Sequence, residues 1–300
     1  MVQENSMRKI VIITGLTGSG KSALALDIAD RYNGEIVSAD SVQIYRGLDI
    51  GSAKESLGNR ARIPHHLIDI KEFDETYNVG EFLIDCERAI HDIIARGKLP
   101  IIVGGTGLYV KALIEGYSLG GAVADSTFRQ HYEHLASEHG KEYVWDILNK
   151  KNPTKAQTVH YNNLKRVVRY LELEEYGEPE QTKSILYDFN ILAIGIVADR
   201  DVIYNRINQR VDIMIHDGLE TEVNNLIKQG ATSTMQSMNT IGYKEWFDHV
   251  SGNVSRDDTI NLIKQHTRNY CKRQLTFMKT IRDLEMLTIV EAKKRIEEFL

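Results

Sequence analysis

Cysteine and proline are scarce in this chain of 300 residues, which contains two cysteines and four prolines. Cys86 and Cys271 lie far apart and neither belongs to a Cys-x-x-Cys pair, so a disulfide scaffold and a cysteine-rich zinc module are both excluded. The low proline count excludes a proline-rich or collagen-like architecture. Because no signal peptide is recognisable either, we expect a protein of the reducing cytoplasm.

Long apolar runs and an excess of basic residues are also missing. The longest uncharged apolar stretch, around Leu99–Tyr109, is far too short to span a bilayer, so we expect no membrane partner. The formal net charge of −5 argues against a protein that coats nucleic acid over its whole surface. A local basic face on an otherwise acidic globular protein remains compatible with this charge.

Buried-type strands alternate with helical patterns along most of the chain. The predicted strands are Lys9–Thr14, Glu35–Ser38, Leu67–Ile70, Leu99–Val103 and Ile191–Val197. The predicted helices between and after them are Ala23–Arg31, Glu81–Arg96, Val202–Gln229 and Asp258–Arg282. This alternation predicts an α/β fold with a parallel sheet and right-handed crossovers.

The composition changes between about residues 117 and 190. Long apolar strands vanish there, and amphipathic helical patterns punctuated by Pro153 and Gly177–Pro179 replace them. The buried-strand pattern returns at Ile191. We therefore predict an α/β core formed by residues 1–116 and 191–300, interrupted by a helical insertion domain at 117–190.

A complete phosphate-loop motif, GLTGSGKS, follows the first predicted strand and precedes a helix. Glycines in such a loop let backbone N–H groups point at phosphate oxygens, and the helix N-terminus adds a favourable dipole. Lys21 supplies a positive charge, and the Ser22 hydroxyl is placed to coordinate Mg²⁺, the predicted cofactor. The predicted diphosphate- or nucleotide-binding residues are Gly15, Leu16, Thr17, Gly18, Ser19, Gly20, Lys21 and Ser22.

The acidic residue with which a nucleotide hydrolase holds its metal is not evident. Leu99–Val103 ends in the sequence GGTG rather than in an aspartate, and Asp69 is a poorer substitute because its apolar segment continues through Ile70. The chain therefore has a phosphate cradle without an obvious hydrolase metal site, and other diphosphate chemistry has to be considered.

Five further motifs follow the phosphate loop in order, and together they carry a resemblance. They are SADSVQIYRGLDIG from Ser38, HHLID from His65, GGTGLY from Gly104, IGYKE from Ile241, and TR with KRQLT from Thr267. In this order and spacing, from about Lys9 to Arg282, the chain resembles the tRNA dimethylallyltransferase family. Because no cysteine follows Cys271, it resembles the bacterial members rather than those with a zinc-finger extension. Departures from the family pattern at Leu16, Gly18, Val42 and Glu55 remove no group that the chemistry requires.

The resemblance implies transfer of a dimethylallyl group from its diphosphate to N6 of adenosine 37, beside the anticodon of tRNA. Negative charge develops on the leaving diphosphate, where the loop, Lys21 and Mg²⁺ can stabilise it. The adenine N6 must lose a proton, and Asp40 aligns with the family's general base. On spacing alone, an aspartate that caps a turn is an equal alternative for Asp40.

Three more residues receive roles from this comparison of motifs. Arg210 matches the family's diphosphate-binding arginine. Arg206, one turn earlier on the same helix, stays undecided between a ligand contact and a solvated salt-bridge face. The Thr17 hydroxyl lies within the loop and could donate to the leaving group. Thr106 follows the fourth strand, where the family contacts the target nucleotide.

Basic residues form two clusters that suit RNA phosphates, although a solvated salt-bridge face is the ordinary alternative. One lies along the last predicted helix and comprises Arg268, Lys272, Lys279 and Arg282; the other lies in the insertion and comprises Lys165, Arg166 and Arg169. Bases of an anticodon loop are unpaired, so the target adenine can be flipped into a pocket at small cost. The predicted tRNA-binding residues are Asp40, Ser41, Val42, Gln43, Thr106, Arg129, Lys165, Arg166, Arg268, Lys272 and Arg273.

Two other functions stay open. Transfer to free AMP, ADP or ATP is one, but a mononucleotide needs neither a helical insertion nor a basic helix. A nucleotide-hydrolysing RNA-binding protein is the other, which steady hydrolysis without prenyl transfer would indicate. The adjacent pair His65–His66 points to opposite faces of an extended segment and is a poor metal site, and Cys86 is predicted to be core. We expect a monomer.

Overall fold

The computed structural model describes residues 8–116, 126–177 and 184–300, and its described part contains one parallel sheet. The strands are β1 (Lys9–Gly15), β2 (Gly34–Ser38), β3 (His65–His66), β4 (Leu99–Gly104), β5 (Asn190–Ile196) and β6 (Glu285–Leu287). They lie in the order β3-β2-β4-β1-β5-β6, and every pair of neighbours is parallel. The predicted α/β class with a parallel sheet is confirmed.

Helices connect and cover these strands. Within the described residues they are α1 (Lys21–Arg31), α2 (Leu57–Arg62), α3 (Val79–Ala95), α4 (Gly107–Glu115), α5 (Ser126–His139), α6 (Lys141–Lys151), α7 (Pro153–Ala156), α8 (Leu164–Tyr176), α9 (Arg200–His216), α10 (Leu219–Lys228), α11 (Lys244–Val250), α12 (Arg256–Met278) and α13 (Ile289–Phe299).

Both faces of the sheet are buried, as the continuous apolar strands predict. Along β1, Ile10 and Ile12 pack into one core, and Val11 and Ile13 pack into the other. The first core includes residues of α3 and α4, and the second includes residues of α1 and α13. Cys86 is fully buried in the first, so its prediction as a core residue is confirmed.

Chain contacts divide the molecule into two compact units. The first consists of Met1–Glu115 and Ser184–Leu300 and contains the sheet. The second, Gly116–Lys183, contains helices α5 to α8 around its own apolar core, which includes Val144, Leu148 and Leu171. The insertion predicted from the sequence, 117–190, ends later than this second unit. The chain rejoins the first unit at Ser184, before β5 begins.

Three predicted elements differ from the structure. The strand predicted at Leu67–Ile70 is wrong, since β3 ends at His66 and Leu67 has a left-handed backbone with φ of 61°. The helix predicted over Val202–Gln229 is interrupted at Gly218, whose φ of 102° starts α10. The last long helix ends at Met278, so Lys279 and Arg282 lie beyond it. Within the residues that the structure describes, no helix combines the length and the apolar character that crossing a membrane requires.

A buried carboxylate anchors the amino end of β2. Glu35 is 2% exposed, and it accepts hydrogen bonds from Arg96 Nη2 and His66 Nε2, each at 2.7 Å, with Lys98 Nζ at 3.2 Å. Burial by itself raises the pKa of Glu35, but the hydrogen bonds from Arg96, His66 and Lys98 outweigh it and bring the pKa to about 2.

This depressed pKa predicts an acid-dependent contribution to stability. Glu35 stabilises the fold fully above its unfolded pKa of 4.5, and the contribution, about 3 kcal/mol at most, is lost as the pH falls towards 2. Glu35→Gln lacks this titration, so the difference in unfolding free energy between wild type and variant should shrink between pH 5 and pH 2.5. Urea unfolding of both proteins at several pH values measures it. A difference independent of pH would contradict the assignment.

Candidate active site

A cavity of about 390 Å³ opens at the carboxyl ends of β1, β2 and β4. This is the edge of a parallel sheet where ligands bind, and β1 lies at the point where the connections turn to opposite sides. The phosphate loop, the Asp40 turn, the Gly104–Thr106 segment, α9 and α12 all contribute to its wall. The topology therefore collects the separate sequence motifs around one space.

The phosphate loop takes a left-handed turn immediately before α1. Gly20 caps this helix with φ of 91°, a conformation that glycine adopts without strain. Backbone amides of three loop residues donate within the protein: Leu16 to Ile196, Thr17 to Gln274 and Ser19 to Leu16. Those of Gly18, Gly20, Lys21 and Ser22 donate to no acceptor among the described residues. Four of the eight predicted loop residues thus keep an N–H for a bound anion.

Two desolvated cations line the cavity without a carboxylate partner, in addition to the exposed Lys244 and Arg273. Neither Lys21 nor Arg210 forms an ion pair anywhere in the described part of the chain. Burial and, second, the neighbouring Arg210 lower the pKa of Lys21 to about 8, although Asp40 acts in the opposite direction. Burial likewise lowers the pKa of Arg210, again opposed by Asp40. Two desolvated positive charges that repel each other form a strong site for a polyanion.

Asp40 combines a turn with access to the cavity. Its Oδ1 accepts hydrogen bonds from the amides of Val42 at 2.9 Å and Gln43 at 3.4 Å, which closes the turn after β2. Its Oδ2 has no hydrogen-bond partner among the described residues, and the residue lines the cavity. The two interpretations of Asp40, turn residue and base, are therefore compatible, because each uses a different oxygen.

The Asp40 turn is tied to the end of β4 by a close backbone approach. A Cβ on Gly104 would lie 2.0 Å from the carbonyl oxygen of Ala39, so only glycine fits there. The Thr106 hydroxyl accepts a hydrogen bond from the Ser41 amide at 3.0 Å and donates to Ser41 Oγ at 3.2 Å. Thr106 and Ser41, both predicted to contact the substrate, thus also hold each other in the cavity wall.

Apolar side chains also line the cavity. They come from β2, β4, α9 and α12, and are Ile36, Val103, Ile207, Val211, Met214 and Ile263. The cavity therefore combines cations with hydrophobic side chains. Such a pocket suits a ligand that joins a diphosphate to a short hydrocarbon chain.

Comparisons with known proteins agree with this geometry. A protein-family model described as IPP transferase matches residues 43–281, and one described as isopentenyl transferase matches residues 8–63. The tRNA dimethylallyltransferase of Bacillus mycoides is 40% identical over 98% of this chain and 94% of its own length. That of Lactococcus lactis is 42% identical over 92% of this chain and 91% of its own length. This chain belongs to the tRNA dimethylallyltransferase family.

Solved structures place the fold in the same family. The full-length tRNA isopentenylpyrophosphate transferase of Bacillus halodurans is similar with a TM-score of 0.73 and 38% identity, covering 97% of this chain and 95% of the other. A eukaryotic dimethylallyltransferase acting on tRNA is similar with a TM-score of 0.76 and 28% identity, covering 94% and 74% respectively. The resemblance drawn from the motifs is confirmed.

Helix α12 lines the cavity with polar residues, of which only Arg273 was a predicted site residue. They are Thr267, Tyr270, Arg273 and Gln274. Spacings of three and four residues place Thr267, Tyr270 and Gln274 on one helical face, and this spacing is the signal that could have assigned them to the site. Gln274 is 6% exposed, and such a buried polar side chain requires hydrogen-bond partners.

Two predicted site residues have their polar groups engaged by the protein itself. The Gln43 amide accepts from Ser38 Oγ at 3.2 Å and donates to the carbonyls of Ser52 and Ala53. The Thr17 hydroxyl donates to Gln274 Oε1 at 3.2 Å. That the Thr17 hydroxyl donates to the leaving group stays a prediction, and in the free protein Gln274 occupies this donor.

The structure also shows what surrounds Arg206, His65 and His66. Arg206 Nη1 lies 3.4 Å from the Gly18 carbonyl, so it borders the loop from outside the cavity. His66 pairs with Glu35, whereas His65 Nδ1 lies 2.7 Å from the Ile63 carbonyl and borders the cavity. Burial lowers the pKa of His65.

The donor set at the loop suits Mg²⁺ that is bound chiefly through a substrate. Over residues 8–116, 126–177 and 184–300, no group of three or more His, Cys, Asp or Glu side chains could hold a metal ion. Ser22 lines the cavity, and Ser19 Oγ is buried without a hydrogen-bond partner. Mg²⁺ commonly takes few protein ligands and several phosphate and water oxygens. The fit is adequate, and Mg²⁺ at Ser22 stays a prediction.

The predicted tRNA-binding residues on α12 differ in their exposure and in whether the protein already binds their side chains. Arg268 donates to Asn208 Oδ1 at 2.6 Å and is partly buried. Lys272 and Arg273 are exposed, and the Arg273 guanidinium lies 5.6 Å from the Tyr270 ring centroid. The predicted basic face therefore has fewer freely exposed cations on α12 than expected. Its last two residues, Lys279 and Arg282, lie beyond the end of the helix.

The predicted tRNA contacts in the second unit are partly occupied as well. Arg129 forms a two-pronged ion pair with the fully buried Glu172, at 2.6 and 2.8 Å, and therefore has a structural task. Arg166 donates to the Tyr170 hydroxyl, and Lys165 is exposed. A contact of each with tRNA stays a prediction.

The lowered pKa of Lys21 predicts a pH-dependent affinity for pyrophosphate. Binding needs the charged amine, so affinity should be insensitive to this group below pH 8 and should weaken as the pH rises above the free-protein pKa of about 8. Lys21→Arg keeps its charge throughout this range. The ratio of wild-type to variant affinity, measured by calorimetry at pH 7 to 9.5, cancels the ionisation of pyrophosphate itself. A ratio constant with pH would contradict the prediction.

The exposed cations Lys272, Lys279 and Arg282 predict a salt-dependent affinity for tRNA. None of their side chains forms an ion pair within the described residues. Replacing all three with alanine should flatten the slope of log K against log salt by about 2, at roughly 0.7 per contact. A charge-matched variant with alanine at the exposed Arg88, Lys228 and Lys294 is the control. Equal slopes for both variants would mean that this surface is only solvated.

Proposed function

We propose that this chain transfers a dimethylallyl group from dimethylallyl diphosphate to N6 of adenosine 37 in tRNA and releases diphosphate. Membership of the tRNA dimethylallyltransferase family supports the reaction type and the tRNA substrate. One observation in the structure carries the proposal: within the described residues, a single cavity brings together two desolvated cations without carboxylate partners, apolar side chains, and a carboxylate oxygen of Asp40 without a partner.

The cationic end of the cavity stabilises the leaving group. As the bond from C1 of the allyl group to oxygen breaks, negative charge accumulates on the diphosphate. Lys21, Arg210 and the N–H groups of Gly18, Gly20 and Ser22 are already desolvated or unpaired, so little reorganisation is needed when that charge develops. Mg²⁺, when bound at Ser22, would neutralise further charge on the phosphate oxygens.

The apolar wall protects the other half of the substrate. The allylic carbon carries positive charge as the bond breaks, and water would capture it. Ile207, Val211 and Ile263 line this part of the cavity and exclude water from it. The same wall orients C1 towards the incoming nucleophile.

Asp40 removes the proton that N6 loses when the new C–N bond forms. Its Oδ1 is held by the turn amides of Val42 and Gln43, which fixes the carboxylate and leaves Oδ2 for the adenine amine. A general base that is part of a turn is thus oriented by its own backbone.

The tRNA substrate also bears on how the adenine reaches the cavity and where in the cell the reaction takes place. An unpaired adenine beside the anticodon can reach a cavity that a paired base cannot. We infer a cytoplasmic reaction, because that is where tRNA is available, and a monomeric enzyme.

The experiment is incubation of the purified chain with radiolabelled dimethylallyl diphosphate and unmodified tRNA. Label should appear in tRNA with adenosine at position 37 and not in a transcript with guanosine there. AMP is offered as a competing acceptor, and ATP and GTP hydrolysis are followed in parallel. Label in AMP alone would indicate the mononucleotide enzyme, and steady hydrolysis without transfer would indicate the nucleotide hydrolase.

The two roles of Asp40 can be separated by Asp40→Asn. The amide oxygen of asparagine can still accept from Val42 and Gln43, so the turn should survive, but the base is lost. We expect turnover to fall by about 10²- to 10⁴-fold, with affinity for tRNA and diphosphate nearly unchanged. Single-turnover kinetics and melting temperature measure the two effects. Activity within threefold of wild type would leave Asp40 as a turn residue only.

A further inference from the structure

One carboxylate on α10 holds a loop of the cavity wall by its backbone. Glu222 Oε2 accepts hydrogen bonds from the amides of Asp49 at 3.1 Å and Ile50 at 2.8 Å. Its Oε1 accepts from the Gly51 amide at 3.1 Å and from the Tyr243 hydroxyl at 2.7 Å. Hydrogen bonds to a charged acceptor are roughly twice as strong as those between neutral groups. A single side chain therefore binds three consecutive backbone amides and a buried phenol.

The Tyr243 ring packs against the same loop. A Cβ on Gly51 would lie 2.5 Å from two carbon atoms of this ring, so only glycine fits there. Tyr243 is fully buried, and burial and, second, the Glu222 carboxylate raise its pKa well above its ordinary value. The hydroxyl therefore keeps its proton at neutral pH and donates it to Glu222. This contact joins two separate motifs of the sequence, the one that begins at Ser38 and the one that begins at Ile241.

The loop continues into the wall of the reaction cavity, whereas Glu222 does not line that cavity. Gly51, Ser52 and Ala53 border the reaction cavity, and Glu222 borders a separate one. An effect of Glu222 on a substrate in the reaction cavity must therefore pass through the backbone of the loop.

Gln43 connects this loop to the turn that contains the proposed base. Its Nε2 donates to the Ser52 carbonyl at 3.3 Å and to the Ala53 carbonyl at 3.4 Å. A carbonyl can only accept, so Nε2 must face the loop, which leaves Oε1 for the Ser38 hydroxyl at 3.2 Å. The backbone N–H of Gln43 donates to Asp40 Oδ1 at 3.4 Å. Displacement of the loop would release the Gln43 side chain and loosen the residue whose amide helps to hold Asp40.

We infer that Glu222 is a positioning residue for the transfer reaction, which acts through this loop and Gln43 on the Asp40 turn. It lies outside the reaction cavity and takes no part in bond making. The inference rests on the proposed function, because its consequence for Asp40 is measured in prenyl transfer. Lys21, Arg210 and the unpaired amides of the phosphate loop form no hydrogen bond with Glu222, so diphosphate binding should be nearly independent of it.

Glu222→Gln tests the loop contact with a side chain of nearly the same size. The amide oxygen can still accept from Asp49 and Ile50, but the NH2 group then faces the Gly51 amide and cannot accept from it. We expect kcat to fall by about tenfold or more, with KM for dimethylallyl diphosphate within about threefold of wild type. Pyrophosphate binding with the wild-type affinity and stoichiometry would show that the variant is folded. Glu87→Gln, the same change at an exposed position of α3, is the matched control.

Two results with Glu222→Gln would overturn the inference. One is a kcat equal to that of wild type or of Glu87→Gln. The other is a loss that appears in KM for dimethylallyl diphosphate while kcat is retained, because Glu222 would then affect the donor substrate rather than the Asp40 turn.

A double-mutant cycle with Gln43→Met tests the connection between the loop and the turn. Gln43→Met alone should lower kcat by about tenfold or more, because it removes the amide that meets the loop carbonyls. In this background Glu222→Gln should cost less than about twofold, because the connection to Asp40 is already lost. Losses that multiply would overturn the inference, since Glu222 would then act independently of Gln43.

Tyr243→Phe is a milder variant that keeps the buried ring against Gly51. Only the hydroxyl is lost, so Glu222 keeps its three backbone donors and loses the fourth. We expect kcat to fall by about threefold or more, with the affinity for pyrophosphate unchanged. A kcat equal to that of wild type would contradict the inference even if Glu222→Gln does not fold.

Hydrogen exchange at the Gly51 amide separates this inference from the proposed function. The measurement uses the free protein and needs no turnover. Exchange should be faster in Glu222→Gln than in wild type and in Glu87→Gln. Unchanged exchange would overturn the inference even if wild type transfers the prenyl group, whereas absence of transfer by wild type would overturn the proposed function alone.

Discussion

Two desolvated cations held side by side without a carboxylate are the arrangement on which the site depends. Lys21 and Arg210 come from different sides of the sheet edge, one from the phosphate loop and one from α9. Burial depresses the pKa of both groups, and the neighbouring Arg210 depresses that of Lys21 further. A protein anion within 4 Å would have relieved this at the expense of the site. A diphosphate supplies the missing charge when it binds. The strain that the cations impose on the free protein is thus the source of affinity for substrate and of stabilisation for the leaving group.

The rest of the cavity is built so that these cations stay available. Two acidic residues outside the cavity are engaged elsewhere: Asp69 pairs with Lys54 and Arg60, and Glu35 pairs with basic residues at the opposite end of β2. Two carboxylates line the cavity: the turn holds one oxygen of Asp40, and Glu55 Oε1 accepts a hydrogen bond from Asn59 Nδ2 at 2.6 Å. A hydrolase-type acidic residue at the end of β4 would neutralise the loop, and Gly104-Gly105 stands there instead. This explains physically why the cradle suits diphosphate departure rather than nucleotide hydrolysis.

The phosphate loop, the parallel sheet and the family could be predicted from the sequence because each depends on local pattern. A β-branched run before GLTGSGKS specifies strand, loop and helix within a short segment, and the order of the motifs identifies the family. Errors occurred where tertiary contacts override local preference. The apolar residues at Leu67–Ile70 form no strand: Leu67 and Asp69 have left-handed backbones, and the Asp69 carboxylate pairs with Lys54 and Arg60. Helical periodicity continues across Gly218, and only the backbone shows that the chain breaks there.

The sequence by itself determined which chemistry is possible: a phosphate loop, a candidate base at Asp40 and a candidate cation at Arg210, since residue type and spacing along one segment carry that information. Only the tertiary structure decided which polar atoms of these groups are bound within the protein and which face the cavity. It holds one oxygen of Asp40 in a turn and leaves the other for the cavity, and it pairs the Thr17 hydroxyl with Gln274, a residue 257 positions away. It also engages Arg129 with a buried glutamate, while Lys272 stays exposed. Hydrogen bonds between distant segments leave no periodic trace in a sequence, so their consequences for the site appear only when the sheet brings those segments together.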